Sequence, residues 1–310
     1  MRFVELKKAG IDISVVGLGT NFVGGHNLYN NVSEDAGIRL TKTALELGIN
    51  YFDTADAYGL GRSEELLGQV LKGRRSEAVV ATKGGIQWFE DGSTRMNNRP
   101  AYLRQALEDS LRRLMTDHVD IYYIHWPDNE TPVAEAVGEV MRLKEEGKVR
   151  AIGVSNFSLE QLKEAVGAGD IDLTQLPYSM LDRAIEKDLL PFCVEQGISV
   201  APYGPLAYGI LGGRYGKDFK LDPKDWRNGI PLFKPENFQE NLRKADALKE
   251  MARTKGTIPP NLALAWLLHQ EGIDAVIPGA KTPEQVIENA KAADVLLSGA
   301  ELDAIGGILG

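Results

Sequence analysis

The chain has 310 residues, 43% hydrophobic and 25% charged, a composition that excludes a disordered or fibrous protein and suits one large α/β unit. With 35 Lys and Arg against 44 Asp and Glu, the formal net charge is −9, so there is no general electrostatic attraction to nucleic acid or to an anionic membrane. The single cysteine, Cys193, excludes an internal disulfide framework and a cysteine-rich metal centre; with no apolar run of signal or membrane-span length, a soluble cytoplasmic protein is expected.

In chain order, residues 1–14 carry a turn at Ala9-Gly10 between short apolar pieces, which predicts a hairpin closing the floor of a barrel. Residues 13–18, 50–53, 78–83, 119–125, 150–154, 171–175, 198–202 and 274–278 then read as strands alternating with amphipathic stretches. Such alternation predicts parallel βαβ units and a single α/β domain over 1–310, a (β/α)8 TIM barrel with the N-terminal hairpin and extra C-terminal helices. The first helix shows the local logic: Ser33 as N-cap, Glu34 and Asp35 at its positive end, Ala36, Leu40, Ala44 and Leu47 on one face, and Gly48 as the stop. Leu103, Leu107, Leu111 and Leu114 repeat that spacing after Pro100, while Ser158 with Gln161 and Thr282 with Gln285 read as capping boxes. Residues 203–235, rich in Gly, Tyr, Pro and Trp and without a period, predict a functional loop. Helices are expected at 235–255, at 260–269 and from Ser298. The competing doubly wound sheet fails at its fingerprint, because Gly17-Leu18-Gly19 is followed by Phe22 where a third glycine is required.

Chemistry in such a barrel belongs at the C-terminal strand ends. Those ends carry Asp53, Lys83, His125, Ser155 with Asn156, Gln175, Tyr203 and the turn Gly279-Ala280-Lys281. Each alone has a plain packing role, as a cap, a snorkelling lysine or a satisfied core histidine. Together they are harder to dismiss: a lysine directly after Ala81-Thr82 needs a counter-charge when buried, Asp53 is the natural one, and Tyr58 stands in the loop after it.

At these residues the chain resembles the aldo-keto reductase superfamily along nearly its whole length. The likeness is carried by Gly17-Leu18-Gly19-Thr20, Asp53-Thr54-Ala55 with Tyr58-Gly59, Ser63-Glu64-Glu65, Ala81-Thr82-Lys83, and the run from Asp120 to His125. It continues through Gly153-Val154-Ser155-Asn156-Phe157, Gln175 with Tyr178, and Ile277-Pro278-Gly279. Residues 21–29 look like the bacterial subgroup associated with inositol utilisation. The resemblance implies an NAD(P)H-dependent oxidoreductase that reduces aldehydes and ketones reversibly, with a catalytic tetrad of Asp53, Tyr58, Lys83 and His125. Tyr58 is then the proton donor, made more acidic by Lys83; Asp53 neutralises the lysine, and His125 orients the carbonyl.

A hydride must come from a cofactor. The resemblance implies that Ser155, Asn156 and Gln175 bond the nicotinamide amide and that Tyr203 stacks on its ring. Gly19, Thr20 and Asn21 are also expected to touch the cofactor. The loop through Gly204, Pro205, Leu206 and Gly212, with Arg214 and Arg227, is expected at the pyrophosphate. Gly279, Ala280, Lys281, Gln285, Glu288 and Asn289 are expected at the adenosine end, with Lys281 ahead of a helix start suited to a 2′-phosphate. Phe22, Trp88 and Trp126, with Asn21, are expected in the substrate pocket. Many relatives carry Lys at the place of Gly279 and Arg at the place of Gln285, so NADPH is favoured only through Lys281 and NADH stays open; Ser179 stands where an Asn is usual. The expected partner is a small carbonyl or alcohol, with no nucleic acid and no membrane, and nothing in the sequence argues for a particular oligomeric state. Among other classes, a metal hydrolase is excluded because His26, His118, His125 and His269 include no close pair. A Schiff-base lyase through Lys83 and a slow nicotinamide-nucleotide sensor are the remaining alternatives.

Overall fold

A computed structural model of the chain describes residues 1–29, 32–89, 91–216, 218–223 and 225–310. Phe3–Leu6 (β1) and Ile11–Ser14 (β2) form an antiparallel hairpin. Leu18–Gly19 (β3), Tyr51–Asp53 (β4) and Val79–Gly84 (β5) begin the barrel wall, a second hairpin of Ile86–Trp88 (β6) and Thr94–Met96 (β7) follows, and Val119–Ile124 (β8), Val149–Ser155 (β9), Leu173–Gln175 (β10) and Ser199–Val200 (β11) continue the wall. The seven wall strands are all parallel, in the order β11-β10-β9-β8-β5-β4-β3. Single-residue parallel bridges from Val200 to Ile273 on one side, and from Val16 to Val276 and Gly19 to Gly279 on the other, close the eighth position.

Two expected strands are realised differently. The run 13–18 is divided: Ile13 and Ser14 end the hairpin and only Leu18 and Gly19 enter the wall, because the Ser14 N–H donates to Asn50 Oδ1 at 2.7 Å and its hydroxyl to the Val16 carbonyl at 2.9 Å, turning the chain from floor to wall. The run 274–278 makes bridges without a continuous ladder. Its bonds run Val276 N–H to Val15 O, Gly17 N–H to Val276 O and Gly19 N–H to Pro278 O, and Pro278 has no N–H with which to continue. The β6–β7 hairpin lies outside the expected strands, although Asp91-Gly92 between Trp88 and Thr94 is a hairpin turn signal.

Ten helices are described: Glu34–Glu46 (α1), Arg62–Leu71 (α2), Pro100–Leu114 (α3), Val133–Glu145 (α4), Leu159–Ala168 (α5), Leu189–Gln196 (α6), Pro235–Lys255 (α7), Pro259–Leu268 (α8), Pro283–Ala290 (α9) and Gly299–Leu309 (α10). Ser33 caps α1 and Ser158 with Gln161 forms a full capping box on α5. The box expected at Thr282 is half made. Thr282 accepts from the Gln285 N–H, but Gln285 Oε1 accepts instead from the Lys281 N–H at 2.7 Å, one residue earlier. Residues 203–235 form a loop with short 3-10 turns at Ala207–Gly212, Trp226–Gly229 and Pro231–Phe233.

Strand periodicity explains how the core becomes a site. Tyr51, Val79, Ala81, Ile121, Tyr123, Ala151, Leu173, Ala201, Ala275 and Ile277 pack together in the lumen on Leu6, Ile11 and Ile13 of the floor hairpin. Because side chains of a strand alternate between faces, the inward positions above this plug are Asp53, Lys83, His125, Gln175, Tyr203 and Gly279, with Ser155 beside Gln175 and one inward step beyond Gly153, which pairs with Tyr123 and Leu173 in the plug layer. Six of the seven wall strands, all but β3, run into this ring, and the closing segment adds Gly279. Gly153 makes room for this layer, since a Cβ there would overlap the Tyr123 ring. At the opposite end, Asp120 accepts from the Val80 N–H at 2.8 Å and pairs with Arg75 and Arg150, and Asp172 accepts from the Ile152 N–H at 2.7 Å and pairs with Lys144. These carboxylates brace neighbouring strands where they begin.

Candidate active site

Lys83 is fully buried, at 0% exposure, so its charge is tolerated only through its partners. Its Nζ donates to Asp53 Oδ1 at 2.7 Å and to the Thr54 carbonyl at 2.8 Å, and lies 3.5 Å from the Tyr58 hydroxyl and 5.0 Å from the centre of that ring. The other Asp53 oxygen accepts from Gln175 Nε2 at 2.8 Å. Burial alone would drive the ammonium towards neutrality, but the Asp53 carboxylate and the Tyr58 oxygen outweigh it and hold the Lys83 pKa above its ordinary value.

At Tyr58 the pull of Lys83 has the expected direction, but it is not the largest influence. Burial, the largest influence, raises its pKa above 10.0, and the opposing pull of Lys83 is too weak to reverse it. The phenol is held in its protonated form, with Lys83 limiting the rise. His125 meets Tyr58 edge-on, with ring centres 6.2 Å apart. Burial and the Lys83 charge hold its pKa well below 6.5, so the imidazole is neutral, and its buried Nδ1 has no hydrogen-bond partner among the described residues. A neutral ring with an unmatched nitrogen, beside a protonated phenol and a buried ammonium, suits a carbonyl oxygen that gains negative charge.

Around this group the structure places the expected cofactor residues as follows. Asn156 has a left-handed backbone, at φ +61°, held by its own side chain: Nδ2 donates to the His125 carbonyl and to Ser155 Oγ, each at 3.0 Å, and Oδ1 accepts from the Tyr203 hydroxyl at 2.8 Å. Ser155 Oγ donates to the Gln175 carbonyl at 3.0 Å. The Tyr203 ring is therefore fixed in direction while remaining half-buried, as a stacking platform requires. In the following loop Gly204, Ala207, Tyr208, Gly209 and Gly213 all have positive φ. For Ala207 and Tyr208 that conformation is strained, and the loop is held in it by Ala207 N–H to Gly204 O at 2.8 Å and Gly209 N–H to Leu206 O at 3.0 Å. Pro205 is buried, Leu206 and Gly212 are half-buried, and a Cβ on Gly212 would meet open space. These features fit a dinucleotide pyrophosphate.

Two expected contacts are corrected. Thr20 is fully buried, and its N–H and hydroxyl both donate to the Asp53 carbonyl, so it braces the strand end instead of facing a ligand. Arg227 is engaged within its own loop, with Nε and Nη2 on Asp225 and Nη1 on the Tyr215 hydroxyl and the Tyr208 carbonyl, so its charge is already neutralised; Arg214 is exposed.

At the far end, Gly279 is exposed and a Cβ there would approach only Asn21 Oδ1, while Asn21 Nδ2 donates to the Tyr29 hydroxyl at 3.0 Å. Lys281 Nζ lies 5.6 Å from the ring centres of both Phe22 and Tyr29, so the ammonium rests against these two rings. Gln285 and Glu288 are half-buried, and Ala280 and Asn289 are buried. Trp88, on β6, and Trp126, directly after His125, are exposed; the Trp126 carbonyl accepts from Asn98 at 3.0 Å. Two residues outside the expected set also stand here: Tyr29, whose pKa is raised to about 12 by burial and then by Tyr58, and Asp225, the partner of Arg227. The aromatic at 29, two turns of loop beyond Phe22, and the Asp-x-Arg spacing were the available signals.

The chain matches the model of the aldo/keto reductase family over residues 15–309. It is 39% identical over 319 aligned positions to the NADH-specific methylglyoxal reductase of Escherichia coli, covering 97% of this chain and 96% of that protein. Among solved structures it superposes on the glycerol dehydrogenase of Gluconobacter oxydans with a TM-score of 0.90 and 36% identity, covering 96% of this chain and 92% of that one. It also superposes on an aldo-keto reductase of Klebsiella pneumoniae in complex with NADPH, with a TM-score of 0.76 and 29% identity over 97% of this chain and 92% of that one. The chain belongs to the aldo/keto reductase family. Its activity is the NAD(P)H-dependent reduction of carbonyl groups. Among the described residues, no helix is long and apolar enough to cross a membrane.

Proposed function

We propose that this protein reduces short, oxygen-rich aldehydes and ketones to alcohols, and runs the reverse oxidation, with Asp53, Tyr58, Lys83 and His125 as its catalytic group. The observation that carries this reading is the burial of Lys83 between Asp53 and Tyr58 beneath a neutral His125. Bound nicotinamide dinucleotide supplies or accepts the hydride. Tyr58 gives its proton to the carbonyl oxygen as that atom becomes an alkoxide, and its raised pKa keeps the proton in place until then. Lys83 stabilises the phenolate left behind, from 3.5 Å. Asp53 keeps the ammonium charged and in register, and Gln175 holds the second Asp53 oxygen. His125, uncharged, donates a hydrogen bond that sets the direction of the carbonyl. In oxidation Tyr58 takes the proton back.

For the cofactor, Ser155, Asn156 and Gln175 would hold the carboxamide, Tyr203 the ring, residues 204–213 the pyrophosphate, and Lys281 with its helix start the 2′-phosphate of NADPH. The placement of Lys281 against Phe22 and Tyr29 supports NADPH, and the NADH-specific relative supports NADH as a second cofactor. Methylglyoxal and glycerol, named in two relatives, support the substrate class, as does the likeness of residues 21–29 to the inositol-associated subgroup. A cofactor-oxidation screen over small aldehydes, ketones and sugar-like carbonyls with both nucleotides tests the class. Tyr58→Phe tests the mechanism: turnover should fall about 10²- to 10⁴-fold while cofactor affinity holds. Near wild-type turnover in that variant on a substrate limited by chemistry would remove Tyr58 from its role.

A further inference from the structure

Tyr58 stands at the tip of a loop, Ala57-Tyr58-Gly59, and its hydroxyl meets Lys83 only at 3.5 Å, too long to fix the ring by itself. The tip is tied to its own loop by Tyr58 N–H to Ala55 O at 3.1 Å and to α2 by Ser63 N–H to Tyr58 O at 3.2 Å. Leu60 N–H to Ala57 O at 3.4 Å and Arg62 N–H to Gly59 O at 3.2 Å hold its flanks, and one further hold comes from a different loop. The Asn27 side chain accepts from the Gly59 N–H at 2.7 Å and donates through Nδ2 to the Ala57 carbonyl at 3.0 Å. One carboxamide therefore grips the main chain on both sides of Tyr58. The neighbouring backbone presses against the same point: Gly59 has φ +61°, and a Cβ there would overlap the Gly24 carbonyl oxygen. Behind it, Arg62 at the start of α2 clasps Glu34 at the start of α1 through two bonds of 2.7 Å, which locks the roots of both loops.

We propose that Asn27 is a positioning residue for the proton donor, acting through the main chain of Tyr58 and not by touching substrate or cofactor. The inference rests on the proposed role of Tyr58. Asn27 itself is exposed, so its truncation removes little packing, whereas a displacement of the phenol by an ångström or less is enough to slow proton transfer. The rest of its loop carries Phe22 and Tyr29, so the segment that frames the mouth also sets the acid.

The test compares Asn27→Ala and Asn27→Asp, each in the wild-type and Tyr58→Phe backgrounds. Asn27→Ala should lower kcat about ten-fold with substrate KM and NADPH affinity within about two-fold. Asn27→Asp, which keeps the acceptor for the Gly59 N–H and loses the donation to Ala57, should recover part of the rate. In the Tyr58→Phe background Asn27→Ala should cost nothing further, because the group it positions is gone. Amide exchange at Gly59 should quicken in Asn27→Ala without a change in global unfolding. Wild-type turnover in Asn27→Ala, or a loss that adds in full to that of Tyr58→Phe, overturns the positioning role while leaving Tyr58 as the acid. Full activity in Tyr58→Phe alone overturns the catalytic reading itself, and the role of Asn27 with it.

Discussion

Asp120 at the N-terminal end of the barrel and Asp53 at the C-terminal end are both buried, at 1% and 3% exposure, and both have each oxygen partnered. Their counter-ions differ. Asp120 is held by Arg75 and Arg150, whose side chains remain 22% and 48% exposed. Asp53 is held by Lys83, whose side chain has no exposure at all. Arginine is always charged and forks across a carboxylate, which suits a brace; lysine is a point charge that can bias a neighbouring phenol, which suits chemistry. The same residue type thus braces one end of the barrel and, in the proposed mechanism, supports a changing charge at the other.

Breaking each pair should separate the two roles. Lys83→Met leaves Asp53 buried with only Gln175, and removing one partner of a buried pair costs about 3–5 kcal/mol. Urea unfolding should show that loss, and turnover of the folded fraction should fall by orders of magnitude because Tyr58 loses its cation. A stable, active Lys83→Met protein would dissolve the contrast. Borohydride with a carbonyl substrate should leave no adduct on Lys83 in the wild type, separating this chemistry from a Schiff base. At the other end, Asp120→Ala releases two arginines that can turn to water and strands the Val80 N–H, a loss of about 1–3 kcal/mol. Its kcat per folded molecule should equal that of the wild type; a large drop would show that the two ends are coupled.

Lys281 offers a third kind of cation, exposed and resting on the faces of Phe22 and Tyr29. A 2′-phosphate carries more than one negative charge near neutral pH, and a charge-assisted bond to it is worth roughly 1.5–3 kcal/mol. Lys281→Ala should weaken NADPH about ten- to a hundred-fold and leave NADH almost unchanged, at about 1.4 kcal/mol per decade. Fluorescence titration with both nucleotides reads this directly. Equal small losses for both would make the aromatic contact the whole of its role, and with it would go the preference for NADPH.

Much of this arrangement is legible in sequence because strand alternation is strict. Once Ala81, Tyr123 and Leu173 are read as inward core, Lys83, His125 and Gln175 must share their face one layer up, and the structure places them there. What periodicity does not carry is depth and partner choice. The direction of the Tyr58 shift depends on how far burial outweighs one ammonium, a balance of two opposed influences set in three dimensions. Arg227 looks like a free cation until Asp225, two residues away, is seen to neutralise it. Thr20 sits in a motif that suggests a ligand, yet its polar atoms reach the Asp53 carbonyl first. Asn27 lies on no regular element, so no pattern marks it; only the two bonds to the Tyr58 loop do.

The smallest expected effect concerns His125, which has no counter-ion and so completes the comparison of buried groups. Burial, reinforced by the Lys83 charge, holds its folded pKa well below 6.5, the value it resumes on unfolding. Above that pH neither state carries the proton, and the residue contributes no pH dependence. Below it the unfolded chain binds one proton more than the folded chain, so stability must fall as the pH falls, by about 1.4 kcal/mol per unit, until the folded pKa is reached. Carboxylates add their own slopes, and Asp56, whose pKa is raised by burial and then by Glu64, works in the opposite sense, losing stability as the pH rises. The difference between wild type and His125→Gln cancels those shared terms. That difference in unfolding free energy should be flat above about pH 7 and should slope below 6.5, with the wild type losing ground. Parallel curves from pH 7 to pH 5 would mean that the folded protein charges His125 as readily as the unfolded chain does, and the imidazole would then meet the carbonyl as a cation instead of a neutral donor.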